Sequence, residues 1–188
     1  MAADQIASIL KSAFGDAIIE FVASGLHPHA VVAAGRWHEV ATFLRDDPRM
    51  GFNMLRSVSG VDRQAQNELE AVYDLIAMAP PEESREGFWT ARHALAVKVR
   101  TERANPHIPS VADVWPTADW HEREAYDLLG IVFDGHPDPV EDEAGRHPRR
   151  ILCPDDWQGH ALRKDYVFPE AYGGIPGRSE IDASKPVK

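Results

Sequence analysis

Two period-two runs constrain this chain more than anything else in its sequence. Leu69, Ala71, Tyr73, Leu75 and Ala77 alternate with Glu70, Val72, Asp74, Ile76 and Met78. Ala91, His93, Leu95, Val97 and Val99 alternate with Arg92, Ala94, Ala96, Lys98 and Arg100. Alternation of that length turns successive side chains to opposite faces, so both runs predict strands. The polar stretch APPEESREG between them has the length of a hairpin connection, which predicts antiparallel pairing. Upstream, Ile6, Ile9, Leu10 and Ala13 recur at helical spacing behind Asp4, a suitable cap, and predict a helix ending near Gly15. Residues 17–22 and 29–34 are strand candidates. Gly35 turns the chain into a helix with Trp37, Val40, Ala41 and Leu44 on one face, stopped by Asp46-Asp47-Pro48. Residues 51–59 form a weaker strand candidate.

Beyond residue 101 the alternation stops, and most of the 14 prolines lie there. Ser110 can cap a short helical turn, and Thr117 a longer helix reaching Leu129, with Gly130 as its terminator. The expected fold is α+β: a mixed or antiparallel sheet with flanking helices over residues 1–105. Residues 106–188 are then the second helix-bearing part, ending in an extended proline-rich C-terminal arm.

Charge narrows the function. Thirty Asp and Glu against twenty Lys and Arg leave a net charge of -10. Residues 113–143 carry ten acids against Arg123 alone, followed by a basic block with Arg146, Arg149, Arg150, Arg163 and Lys164. Phosphate neutralisation needs clustered cations, so nucleic acid is not an expected partner. Protein partners are. The sequence begins with no basic leader and apolar core, and its apolar runs are too short for a bilayer, so a reducing cytosolic setting is the expectation.

Candidate chemistry lies among the side chains between 120 and 166. If 118–129 is helical, Trp120, Glu124 and Leu128 share one ladder, which would place the Glu124 carboxylate on an apolar stripe. Burying it would require a cation, and Arg163 or Lys164 is the expected partner. His121, Glu124, His136, His147, Cys153 and His160 fall within forty residues, but Ala125 stands where the second His of an H-E-x-x-H zinc helix must be. One Cys cannot form a disulfide, a thiolate cage or an all-cysteine iron–sulfur site. A stand-alone metal-dependent enzyme remains as the rival reading. Trp157, Leu162 and Tyr166, on a segment punctuated by Pro154 and Gly159, have the character of interface anchors.

Glu122-Arg123-Glu124, Tyr126-Asp127-Leu128-Leu129-Gly130-Ile131, Phe133, Gly135-His136-Pro137, Arg150-Ile151-Leu152, Pro154-Asp155-Asp156-Trp157, Gly159-His160 and Leu162-Arg163-Lys164-Asp165-Tyr166 occur in order over about 50 residues. This set resembles the signature of the C subunit of respiratory complex I, the 30 kDa-subunit family. The resemblance implies a subunit of a proton-pumping NADH:quinone oxidoreductase, in its hydrophilic arm. It implies no cofactor in this chain; NADH, flavin, iron–sulfur clusters and quinone belong to the whole complex, and the isolated chain is not expected to be catalytic. The implied partners are the D and B subunits of complex I, which form the quinone site. The implied location is peripheral, at the cytoplasmic face of the bacterial plasma membrane. Equivalent subunits serve membrane-bound hydrogenases and ferredoxin- or deazaflavin-dependent complexes, which remain alternatives. Carried over position by position, Glu122, Arg123, Glu124, Tyr126 and Asp127 should lock the helix to the arm or to the D subunit. Arg163, Lys164, Asp165 and Tyr166 should engage the partner, and His136 belongs to the same motif. Residues 139–148 depart from the family pattern as an acidic insertion of about nine residues, expected at the surface without altering the contacts on either side.

Overall fold

The computed structural model describes residues 1–25, 27–84, 87–143 and 145–176. Helix α1 spans Ala3–Phe14, strand β1 Ile18–Val22, strand β2 His29–Ala33 and helix α2 Trp37–Asp46. Three long strands follow: β3 (Met54–Arg63), β4 (Glu68–Ala79) and β5 (Thr90–Glu102). They complete a five-stranded sheet in the order β1-β2-β5-β4-β3, in which only β2 and β5 run parallel. The two period-two runs pair antiparallel, with Ala71 opposite Val99, Tyr73 opposite Val97 and Leu75 opposite Leu95. All six of these side chains are buried, so one face of the sheet is core.

The helices follow from their patterns. Ile6 and Leu10 are the buried residues of α1, and Trp37, Val40, Ala41 and Leu44 are those of α2. Asp4 is not the cap of α1; Ala2 holds that position and Asp4 sits in the first turn, where its charge complements the helix dipole. The weak candidate at 51–59 is displaced to 54–63. Phe52 explains the shift: it is buried, and its N–H donates to the Leu44 carbonyl, closing the end of α2 before the strand begins.

After β5 come β6 (His107–Pro109), α3 (Ala118–Leu129) and β7 (Val132–Asp134), with β6 and β7 paired in parallel. One apolar cluster crosses the expected 105/106 boundary: Ile108, Val111, Trp115, Ala125, Leu129, Ile131 and Phe133 pack with Trp37, Tyr73, Leu75 and Val97. The acidic insertion forms a hairpin, β8 (Pro139–Asp142) with β9 (Gly145–Pro148). Among the described residues from 149 to 176, the only paired strands are Ala171–Tyr172 (β10) and Ile175–Pro176 (β11), a short hairpin of its own.

Candidate functional site

Helix α3 is the hub. Its buried residues are Ala118, Glu122, Ala125, Tyr126, Asp127 and Leu129, so the inward face carries two carboxylates. The ladder expected from sequence points the other way: Trp120 is 63% exposed and Glu124 is exposed. Trp120 misled the pattern, because its size suggested core when it belongs to the surface.

Glu122 is fully buried. Its Oε2 accepts the Ser110 hydroxyl at 2.6 Å and its Oε1 accepts the Val111 N–H at 2.9 Å. These bonds tie α3 to the turn before it, whose Ala112 N–H donates to Ser110 Oγ. Burial pushes the Glu122 carboxyl up to about 7; the Ser110 and Val111 hydrogen bonds oppose the rise, and Asp119 and Asp113 add to it.

Asp127 is equally buried but better furnished with donors. Its Oδ2 accepts the consecutive N–H groups of Ile151, Leu152 and Cys153 at 3.0, 2.7 and 2.9 Å, and its Oδ1 accepts Arg150 Nη1 at 3.0 Å. Burial works to raise this carboxyl. The three backbone donors outweigh it and hold Asp127 below the usual carboxylate range. The consecutive N–H groups of residues 151–153 thus cradle the aspartate, and the Arg150 side chain closes over it.

The later part of the motif closes the end of α3. The last carbonyls of a helix lack internal partners. Here His160 Nδ1 donates to the Asp127 carbonyl at 3.0 Å, the Leu162 N–H to Leu128 at 2.9 Å and Arg163 Nε to Leu129 at 2.7 Å. Arg163 also brings a cation to the negative end of the helix. Gly130 permits this approach: it stands at φ +75°, and a Cβ there would meet the His160 ring at 2.5 Å and Arg163 Nη2 at 2.9 Å. Gly60 does the same from the sheet side, since a Cβ on it would lie 2.3 Å from Leu129 Cδ1.

A third latch reaches the sheet. Arg103, near the end of β5, donates through Nε and Nη2 to the buried Asp62 at 2.9 and 3.0 Å, and through Nη1 and Nη2 to Asp165. The Lys164 N–H donates to Asp62 Oδ2 at 2.8 Å. The Arg103 guanidinium depresses both Asp62 and Asp165. Sequence reading missed Asp62 and Arg103. Both lie just past the segments read from sequence: Asp62 beyond the strand candidate at 51–59, in the last part of β3, and Arg103 beyond the alternating run, one residue after β5.

The remaining motif residues also find partners within the chain. Arg123 Nε donates to the Arg149 carbonyl, and its guanidinium lies 4.8 Å from the centre of the Trp120 ring. His136 accepts the Asp138 N–H on Nδ1 and so donates from Nε2 to the Asp119 carbonyl at 3.1 Å. Tyr166 donates its hydroxyl to the Gln158 carbonyl and stacks near Trp157. Neither Arg163 nor Lys164 pairs with Glu124, contrary to expectation: the Arg163 guanidinium serves α3's last carbonyl, and the Lys164 backbone is fixed at Asp62. The insertion is not a bystander either. His147 is buried and stacks on Tyr126, ring centres 4.3 Å apart, so the hairpin supports the motif helix. Among the described residues no group of three or more His, Cys, Asp or Glu is arranged to hold a metal ion. Nor is any helix among them long and apolar enough to cross a membrane.

Fold and site define a class: an α+β protein whose C-terminal segment is fastened to one helix and one sheet edge by buried carboxylates. The chain belongs to the respiratory-chain NADH dehydrogenase 30 kDa subunit family, whose model matches residues 30–172. It is 45% identical over 168 residues to the C subunit of NADH-quinone oxidoreductase from Chloroherpeton thalassium, covering 89% of this chain and 62% of that one. The same-named protein of Chlorobium phaeobacteroides is 42% identical, with 89% and 90% covered. Among solved structures, a trypsin-resistant fragment (1-134) of Nqo5 is 29% identical and matches with a TM-score of 0.55 over 71% of this chain and 98% of that one. A chain of the membrane-bound sulfane sulfur reductase, an archaeal respiratory membrane complex, shares the fold at a TM-score of 0.52 and 23% identity.

Proposed function

We propose that this chain is a non-redox subunit of the hydrophilic arm of a proton-pumping NADH:quinone oxidoreductase, where it scaffolds the D and B subunits that form the quinone site. In that setting NADH, flavin, iron–sulfur clusters and quinone are held by other subunits. The complex would sit peripherally at the cytoplasmic face of the bacterial plasma membrane. The observation that carries this reading is the fastened C-terminal segment. Arg150, His160 and Arg163 turn inward to α3 and Asp165 to Arg103, while Leu152, Leu162, Val167 and Phe168 stay 58–85% exposed. A row of exposed large apolar groups held on a fixed path is what a protein-binding surface displays. The relatives' name, a subunit of NADH-quinone oxidoreductase, supports other subunits of such a complex as the company for that surface, and the D and B subunits are our assignment.

The test is purification of the tagged chain from solubilised source membranes. Co-purification with NADH-oxidising and quinone-site subunits, and loss of membrane NADH:quinone activity when the gene is deleted, is the expected result. A partner set containing hydrogenase or ferredoxin-dependent subunits instead would move the chain to an equivalent complex. Stoichiometric metal in the purified chain with no stable partner would favour the stand-alone enzyme.

A further inference from the structure

The three acids of the Glu122-Arg123-Glu124 and Asp127 motif do not share one job. Glu122 and Asp127 are consumed inside the chain, whereas Glu124 faces a groove of about 300 Å³ between α3 and β3. Ser57 and Ser59 of β3 form one wall; His121, Glu124 and Leu128 of α3, with Leu162, form the other. β3 is the last strand of its sheet, and among the described residues no strand pairs with its outer edge. Leu162 is 58% exposed and Trp120, one turn before Glu124, 63%.

A lone exposed glutamate is ordinarily content in water. Two features set this one apart. Apolar side chains flank it on the same outward face, an arrangement that a partner would bury. Arg123, its neighbour in sequence, is engaged with Arg149 and Asp138, and Arg163, beside the Leu162 wall of the groove, donates to the Leu129 carbonyl. Among the described residues Glu124 has no ion pair. Covering the apolar groups would strip water from its carboxylate, and a buried carboxylate needs a hydrogen-bonded cation.

We infer that the α3/β3 groove receives a segment of a neighbouring subunit that sets an Arg or Lys against Glu124 and apolar side chains against Leu128 and Leu162. This rests on the proposed function and assigns the contact within it. The opposite occupant, a second copy of this chain, carries a net charge of -10 and would bring it against the Glu124 carboxylate.

The test uses the full chain in its source organism. A photo-crosslinking residue replaces Leu162, and separately Glu124→Lys is compared with Glu141→Lys, a charge-matched change on the exposed hairpin. The expected result is a crosslink to a partner-subunit peptide containing Arg or Lys. Incorporation into the complex should fall about ten-fold or more for Glu124→Lys, the size of one lost interfacial charge contact, and stay at the wild-type level for Glu141→Lys. Changing the crosslinked partner cation to Glu should restore Glu124→Lys. Crosslinks only within the chain or to a second copy overturn the inference, as does undiminished incorporation of Glu124→Lys, and both leave the proposed function standing. A wild-type chain that brings down no complex subunit overturns both. Should Glu124→Lys prove less stable in a thermal melt, the Leu162 crosslink decides alone.

Discussion

Glu122 and Asp127 lie five residues apart on one helix, both without solvent exposure but packed against different segments, and their surroundings drive their carboxyl groups in opposite directions. The difference is the donor set. Asp127 faces three backbone N–H groups and a guanidinium, Glu122 one hydroxyl and one N–H. Because folding raises Glu122 from 4.5 to about 7, the folded chain holds this proton more tightly than the unfolded chain does. Its effect on stability is therefore most favourable below about pH 4.5, declines as pH rises towards about 7, and is flat above. A shift of that size corresponds to about 3 kcal/mol at most. Asp127, held low, has the reverse sign: its contribution is present at neutral pH and is lost as pH falls through its depressed value. Glu122→Gln, which keeps an acceptor for Val111 and a donor for Ser110, should flatten the decline. Urea unfolding midpoints measured from about pH 5 to about pH 8 would show it; parallel profiles for wild type and variant would refute the assignment. Neither behaviour is legible in the sequence, where the three acids look alike. What separates them is which side of α3 meets the core, and the exposed Trp120 conceals that.

At the scale of elements, α1, α2, β4 and β5 are readable because each carries a single unbroken period and buries one face. β3 is not, because Gly60 interrupts its pattern to admit Leu129, and its start is delayed by the buried Phe52. The end of α3 is legible at Gly130, but for only half of the reason. Gly130 supplies the left-handed turn, and it also leaves room for the His160 ring and the Arg163 guanidinium that cap the helix. Gly130→Ala should accordingly cost more than the about 1–2 kcal/mol of a strained left-handed residue. The variant should melt lower, and the Leu162 amide, which donates to Leu128, should exchange its hydrogen faster. An unchanged exchange rate at Leu162 would mean that His160 and Arg163 move aside without releasing the cap. The hairpin at 139–148 is legible as an insertion and as acidic. Its inward contact is not, since His147 reads as one more surface histidine until Tyr126 is found beneath it.

For the whole molecule, composition suggests a body ending near 105 with a separate continuation. The packing shows why the two parts depend on each other: Ile108, Val111, Trp115, Leu129, Ile131 and Phe133 fill the core against α2 and the sheet. Each such side chain contributes about 1.5–3 kcal/mol on burial, and together they match the roughly 5–15 kcal/mol net stability of an ordinary domain. A chain cut after residue 105 should therefore unfold without a cooperative transition, whereas one ending after Pro148 should retain it. Calorimetry of the two fragments decides; a sharp transition in the shorter would show that the first part is self-sufficient. The charge distribution also reads differently at this scale. Of the acids between 113 and 143, Glu122 and Asp127 are internal, Asp138 meets Arg149 and Arg123, and Asp134 meets His107. Each Asp–Arg pair consumes a base with its acid, so the net of -10 stands, but the acids between 113 and 143 do not form one continuous exposed face.

The junction of Asp62, Arg103 and Asp165 brings together residues 41 and 62 positions apart, and Lys164 reaches Asp62 across 102. Closing loops of that size is slow and yields nothing until both ends are in place. The sheet must consequently be assembled before the C-terminal segment has anything to clasp, which makes that segment the last part of the chain to settle during folding and the first to peel away. A subunit folding in that order would pass through an interval in which its central sheet is complete while its exposed leucines still hang on a loose tether. That is the stage at which a chaperone, or the neighbouring subunit itself, has the most to gain by reaching it first.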